Sequence, residues 1–349
     1  MKYIHEDEYF IFDNPKGINL KYHIKQALYP FASLGYRLLT KALLPKDKSN
    51  KKYNVSLCAI FRDEGEILKE WIEFHRIVGV EHFYLYNNFS ADNYKEILAP
   101  YIEQGLVTLT DWPYERQQMA AYKHCAENYS EQSKWIGFID LDEFVVPNGQ
   151  NQTIYDFLQG FEDKASFVVM YWQYFGSSGL IERDKSKPVT ESFTSCWYKY
   201  GDIGKYFWNT RFSYDANEKR QTGYMHLRWG SVKGVSVPPM NEFGKYCLFG
   251  LNKGAKKDFP IQINHYVIKS FNEYREKKAK RGGGVHAIQE GFHDAKYFFD
   301  HEKYCQSADY RIMRYMSQLK LKLYYTNGGG YYRIVSPYYA VCRSVREAA

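Results

Sequence analysis

Asp140, Asp142 and Glu143 are the residues whose types and spacing first point to chemistry. They close the run Trp135-Ile136-Gly137-Phe138-Ile139-Asp140-Leu141-Asp142-Glu143, in which an apolar stretch gives way to acids. In an extended chain alternate side chains share a face, so Asp140 and Asp142 point together while Leu141 turns back to the core. Two carboxylates on one face where a strand ends make a hard-oxygen site suited to Mn2+ or Mg2+. Glu143 adds negative charge beside them. A divalent ion in such a place is a Lewis acid that neutralises the charge of a departing phosphate, as when a sugar leaves a nucleoside diphosphate. An Asp-x-Asp triplet alone is common, and its bland reading is an acidic surface turn or a helix cap. Its position after an apolar strand, the fourth in a regular series, makes the signal considerably stronger.

That series is the scaffold that must position the acids. Residues 54–61 (NVSLCAIF) read as a buried strand, 82–86 as a second, 106–110 as a third and 135–139 as the fourth. Between them, helical spacing runs over 63–78, 94–103 and 115–129; in the first of these Ile67, Trp71, Phe74 and Val78 share a face, with Leu68 and Ile72 beside it. Strands alternating with helices at this spacing imply an α/β fold with a mostly parallel central sheet flanked by helices. Ligands of such sheets bind beyond the carboxyl ends of the strands. After Pro147 the pattern changes. Residues 166–173 read as another apolar strand and 176–179 as a turn-rich loop. A charged helix over 272–280 is stopped by Gly282-Gly283-Gly284.

Composition bounds the rest. The chain has 349 residues and a formal net charge of +7, a balance that favours anionic partners such as diphosphates or acidic lipid headgroups. No nucleic-acid module pattern occurs, and nucleic acid is not expected as a partner. The 34 Tyr suit stacking on sugars or bases, but a compositional bias toward Tyr, Lys and Asn is the favoured explanation. The six cysteines are scattered with no CxxC pair, which points to reduced thiols and a cytoplasmic protein. The first thirteen residues do not read as a secretory signal. Residues 24–44 carry Leu28, Phe31, Leu34, Leu38, Leu39 and Leu43 at helical spacing, with Lys25, Arg37 and Lys41 among them and Pro30 expected to start or kink the helix. A basic amphipathic helix of this kind either packs on the rest of the chain or makes peripheral contact with a membrane, here its inner face. Residues 1–52 therefore read as a helical extension, 53–285 as the catalytic domain and 286–349 as a helical, aromatic tail.

A family resemblance joins these pieces. Phe138-Ile139-Asp140-Leu141-Asp142-Glu143-Phe144 resembles the acidic signature of GT-A fold glycosyltransferases, especially glycosyltransferase family 92 and related family-2-like bacterial enzymes. Ile60-Phe61-Arg62-Asp63-Glu64 with Glu70-Trp71-Ile72-Glu73-Phe74-His75 resembles that group's opening, although Asp63 stands where Asn is usual. Tyr84 to Ser90, Gln117 to Cys125, Phe175-Gly176-Ser177-Ser178-Gly179, and Asn264-His265-Tyr266 followed by Lys269-Ser270 and Lys280-Arg281-Gly282 resemble further segments in the same order. The likeness covers roughly residues 53–305, loosely near 298–309, and leaves the first 52 residues uncovered.

The resemblance implies a GT-A type fold and a nucleotide-sugar donor, with a saccharide or lipid-linked glycan as acceptor. It implies that Arg62, Glu64, Asn87, Asn88 and Gln117 contact the nucleotide, that Asp140 and Asp142 hold the metal, and that His265 completes the metal shell, where otherwise a core histidine is expected. Lys269, Lys280 and Arg281 are then candidates to neutralise the diphosphate. An inverting transfer needs a carboxylate to take the acceptor's proton, and Glu182, Asp184 and Glu191, after the glycine-serine loop, are the candidates. Two rival readings are a nucleotidyltransferase and a non-catalytic carbohydrate-binding protein. Against the first, Arg62-Asp63-Glu64-Gly65-Glu66 has one glycine and three acids where a phosphate loop should be glycine-rich.

Overall fold

The computed structural model describes residues 5–6, 8–12, 20–47, 50–214, 228–248, 258–277 and 294–324. Its long N-terminal helix, α1, spans Leu20–Leu43, so Pro30 lies inside it and does not start it. The alternating region begins with strand β1 at Tyr53–Phe61, buried on both faces, as a run this apolar requires. Helix α2 (Gly65–Ile77) buries Ile67, Leu68, Trp71, Ile72 and Phe74, the face that its spacing defines. Then come β2 (His82–Asn87), α3 (Tyr94–Glu103), β3 (Val107–Asp111), α4 (Gln118–Tyr129) and β4 (Ser133–Phe138). These strands pair parallel in the order β3-β2-β1-β4. The carboxyl ends of four parallel strands thus open onto one edge, the edge that binds ligands in such sheets.

Beyond Phe138 the sheet becomes mixed. Strand β5 (Glu143–Pro147) follows at once, then β6 (Phe167–Tyr174), β7 (Gly204–Asn209), β8 (Met240–Asn241) and β9 (Ile261–His265). The order continues β4-β7-β6-β9-β5, with β7 antiparallel to both β4 and β6, and β9 parallel to β6 but antiparallel to β5. The short β8 pairs parallel with β6 at Val168 and Val169, before the stretch Trp172 to Tyr174 that pairs with β9. Most pairings in this sheet are parallel, as the sequence implies; the antiparallel β7 within the sheet and the antiparallel β5 at its edge are the departures. Its run Gly-Lys-Tyr-Phe-Trp-Asn is buried throughout and carries no alternation to mark it.

Three later helices close the described part: α5 (Phe271–Glu276), α6 (Ala295–Glu302) and α7 (Met316–Tyr324). The charged helix is observed from Phe271 to Glu276, and 278–280 lie outside the described residues. Helix α7 packs on α2, with Leu319 buried and Lys69 Nζ donating to the Leu323 carbonyl at 2.8 Å. Among the described residues Cys58, Cys125, Cys196, Cys247 and Cys305 are free thiols. No described helix is long and apolar enough to cross a membrane.

Candidate active site

The segment Asp140-Leu141-Asp142-Glu143 is a tight turn, not the extended run that alternation predicts. Strand β4 ends at Phe138, Glu143 N donates to the Asp140 carbonyl at 3.2 Å, and Asp140 N donates to Glu143 Oε2 at 3.0 Å. Turn geometry therefore decides where each aspartate points, and the two meet different neighbours.

Asp140 faces donors. Lys205 Nζ donates to its Oδ2 at 2.7 Å, Gln118 Nε2 to its Oδ1 at 2.8 Å, and the Tyr122 hydroxyl lies 3.3 Å from the same oxygen. Gln118 and Tyr122 stand four residues apart on α4, so they share a face. The Lys205 side chain is 4% exposed and its Nζ also lies 3.7 Å from Glu143 Oε1. Burial opposes the ammonium charge, but Asp140, Glu143 and Asp142 outweigh it and hold the lysine pKa above its ordinary value. The strand start that carries Lys205 needs glycine: a Cβ on Gly204 would fall 1.7 Å from the Met170 carbonyl oxygen.

Asp142 faces a histidine. The antiparallel register of β9 on β5 sets His265 opposite Glu143. Asp142 Oδ1 lies 3.6 Å and Glu143 Oε1 3.9 Å from His265 Nε2. Each of these three residues offers a ligand atom within 4.8 Å of the others'. Donors sharing one octahedral ion with bonds of about 2.1 Å sit about 3–4 Å apart. The fit has a second sign: Glu143 Oε1 is buried with no hydrogen-bond partner. Burial raises the pKa of this carboxyl well above the usual range, Lys205 opposes the rise, and Asp140 and Asp142 add to it. A cation beside it would satisfy that oxygen. Asp142, Glu143 and His265 therefore suit a divalent ion, while Asp140 stands outside the group.

Two motif residues support this geometry from behind. Trp71 Nε1 donates to the Glu143 carbonyl at 2.9 Å, and Val145 N donates to His75 Nε2 at 3.2 Å. They satisfy the backbone of β5, which borders the sheet on the side away from β9. The bond to Nε2 leaves the His75 proton on Nδ1, 2.8 Å from the Trp71 carbonyl. Burial pushes the His75 pKa down to about 3, so the ring is neutral.

The other candidate residues distribute around the strand ends. Arg62 pairs with Glu115 at 3.5 Å and lies over the Phe89 ring. Asn87 donates to the Tyr94 hydroxyl and to Asp111, and Asn88 to the carbonyls of Trp112 and Tyr114, which ties the ends of β2 and β3 together. Asp63 has φ 52°, a left-handed conformation that Asn and Asp share, so this departure from the usual Asn keeps the backbone role. Glu64 pairs with Lys277 at 2.9 Å. Gln117 is exposed at the start of α4, and the side chain that reaches Asp140 is that of its neighbour Gln118. Lys269, with φ 52°, sits between β9 and the Ser270–Glu273 capping box of α5. Lys280 and Arg281 lie outside the described residues.

Glu182, Asp184 and Glu191 belong to a segment anchored by Arg183, which pairs with Glu66 of α2 and Glu273 of α5. Asp184 accepts from Ser186 Oγ at 2.6 Å, a bond that lowers its pKa, and Glu191 accepts from Lys320 at 2.6 Å. The structure does not bring these three carboxylates into the Asp142–Glu143–His265 group. Lys205 and Gln118 are the site residues that sequence reasoning missed. The signal for Lys205 was a lone charge in an otherwise apolar, aromatic run, which demands a buried partner.

The fold and site define an α/β protein with a mostly parallel sheet and an acidic turn beyond one of its parallel strands. The family model for glycosyltransferase family 92 matches residues 51–282, and the chain belongs to this family. It is 34% identical over 147 residues to a family 92 protein of Oryza sativa subsp. japonica, covering 41% of this chain and 25% of the relative. It is 26% identical to beta-1,4-galactosyltransferase galt-1 of Caenorhabditis elegans, over 37% of this chain and 33% of that protein. To galactan beta-1,4-galactosyltransferase GALS3 of Arabidopsis thaliana it is 30% identical, over 35% and 27%. The chain thus spans a third or less of the length of these relatives.

Proposed function

We propose that this chain transfers a sugar from a nucleotide-diphosphate donor to a glycan or lipid-linked glycan acceptor, with inversion, assisted by Mn2+ or Mg2+ at Asp142, Glu143 and His265. The observation that carries the reading is that cluster, with its orphaned Glu143 oxygen, beside the carboxyl ends of parallel strands. A divalent ion bound there would stabilise the departing diphosphate. The chain's own residues do the rest. Lys205 holds Asp140 in place, and Gln118 and Tyr122 fix its second oxygen. Arg62, Phe89, Trp112 and Tyr114 offer a cation and flat rings at the strand ends for the nucleoside, Lys269 is the described cation for the diphosphate, and the galactosyltransferase names of two relatives support a galactosyl donor.

The acceptor's proton needs a carboxylate. Ser186 stabilises the charged form of Asp184, which disfavours its taking up a proton. Glu191 is already engaged by Lys320, so Glu182 is the first to substitute. The test incubates the purified chain with a panel of nucleotide sugars, with Mn2+ and with excess chelator, and measures released nucleoside diphosphate. The expected outcome is release from one donor, abolished by chelator and lowered about 100-fold or more by Asp142→Ala, since a Lewis-acid metal contributes several kcal/mol. Glycan binding with no donor turnover under any metal would identify a carbohydrate-binding protein instead.

A further inference from the structure

Helix α1 has two apolar faces, and among the described residues only one of them packs against the core. On the inward face Tyr29, Ala32, Tyr36, Leu39 and Leu43 recur at three- and four-residue steps and pack against the core. The Tyr29 hydroxyl donates to the Tyr246 carbonyl at 2.9 Å, and Tyr36 meets the Trp229 ring edge-on. On the outward face Leu20, Ile24, Leu28, Phe31, Leu34 and Leu38 recur at the same steps, and all are exposed, Leu20 to 76% and Phe31 to 75%. Six large apolar side chains in one stripe are not the scattered surface hydrophobics of an ordinary domain. The packing of the inward face does not cover this stripe; it turns the stripe outward.

Charge says what the stripe meets. The helix contains no Asp or Glu. At about 100° per residue, His23, Arg37 and Lys41 fall along one border of the stripe. Two copies of the chain joined through their stripes would bring these like charges together, which selects against self-association. An anionic surface complements them, and a bilayer offers both the apolar interior and the charge. No described helix can cross a membrane, so α1 would lie in the interface. We infer that α1 docks the protein on an anionic lipid surface, its outward stripe inserted among the acyl chains and Arg37 and Lys41 at the headgroups. This stands independently of the proposed transferase reaction.

The test is flotation of the full chain with vesicles of phosphatidylglycerol and phosphatidylcholine, and with phosphatidylcholine alone. The wild type should float with the anionic vesicles and at least about tenfold less with the neutral ones. Phe31→Glu with Leu34→Glu, both on the exposed face, should lower anionic-vesicle binding at least about tenfold, with melting temperature and donor turnover unchanged. Arg37→Glu with Lys41→Glu should remove the preference for anionic lipid. The inference is overturned if the wild type does not float with anionic vesicles, or if Phe31→Glu with Leu34→Glu floats as well as the wild type. It is also overturned if the wild type is a dimer in light scattering that the double variant turns into monomers, since a second copy would then cover the stripe.

Discussion

The two aspartates of one turn sit in opposite surroundings. Asp140 is met by a buried ammonium and two further donors, and needs no other cation. Asp142 is met by an imidazole and by Glu143, whose buried Oε1 accepts no hydrogen bond and has Lys205 Nζ no nearer than 3.7 Å. Identical side chains two residues apart are thus prepared for different tasks: one carries a charge already met by a buried lysine, the other lies within a shared ion's reach of an imidazole and a second carboxylate. The spacing of an acidic pair sets how close two carboxylates come, and the elements packed around the turn decide what each can hold.

The strongest way to break this comparison is to remove the internal cation. Lys205→Met leaves the part-exposed Asp140 and the buried Glu143 without Lys205, and leaving buried acceptors without their donor costs about 1–3 kcal/mol. A melting curve should show that loss, and Mn2+ should raise the melting temperature of the variant more than that of the wild type, because the ion then serves both acids. An unchanged melting temperature would show that Lys205 does not hold this side of the turn.

A smaller effect sharpens the other side. His75 supports the Glu143 strand as a neutral ring with a pKa pushed down to about 3 by burial. Its pKa in the unfolded chain is about 6.5, so the unfolded state takes up the proton first. The stability that the neutral ring contributes is complete above about pH 6.5 and is lost as pH falls toward 3. In urea unfolding the stability difference between wild type and His75→Gln should therefore narrow by about 2 kcal/mol between pH 8 and pH 5. A difference independent of pH would mean that the ring is not held neutral against Val145.

The parallel half of the molecule was legible in the sequence because its signals are local. Apolar strand runs alternate with amphipathic helices, and the bounds of α3 agree with the sequence reading at both ends. In the mixed half the strand read over 166–173 is found at Phe167–Tyr174, but the pairing was not legible, because its strands find partners far along the chain. Nothing near Lys205 in sequence reveals Asp140, and nothing near Glu143 reveals that His265 pairs opposite it. Alternation assumed an extended chain at Asp140 to Asp142, whereas the backbone turns there. The Glu-Trp…His motif pointed to residues that matter, but two of them, Trp71 and His75, act on the backbone of β5 and not on a ligand.

Titration of Mn2+ into the wild type, Asp140→Asn and Asp142→Asn, followed calorimetrically without donor, tests the central comparison most directly. The structure predicts that Asp142→Asn weakens Mn2+ binding at least about tenfold, as loss of a ligand should, while Asp140→Asn stays within about threefold of wild type. Equal losses in the two variants, or a larger loss in Asp140→Asn, would contradict the division of labour within the turn.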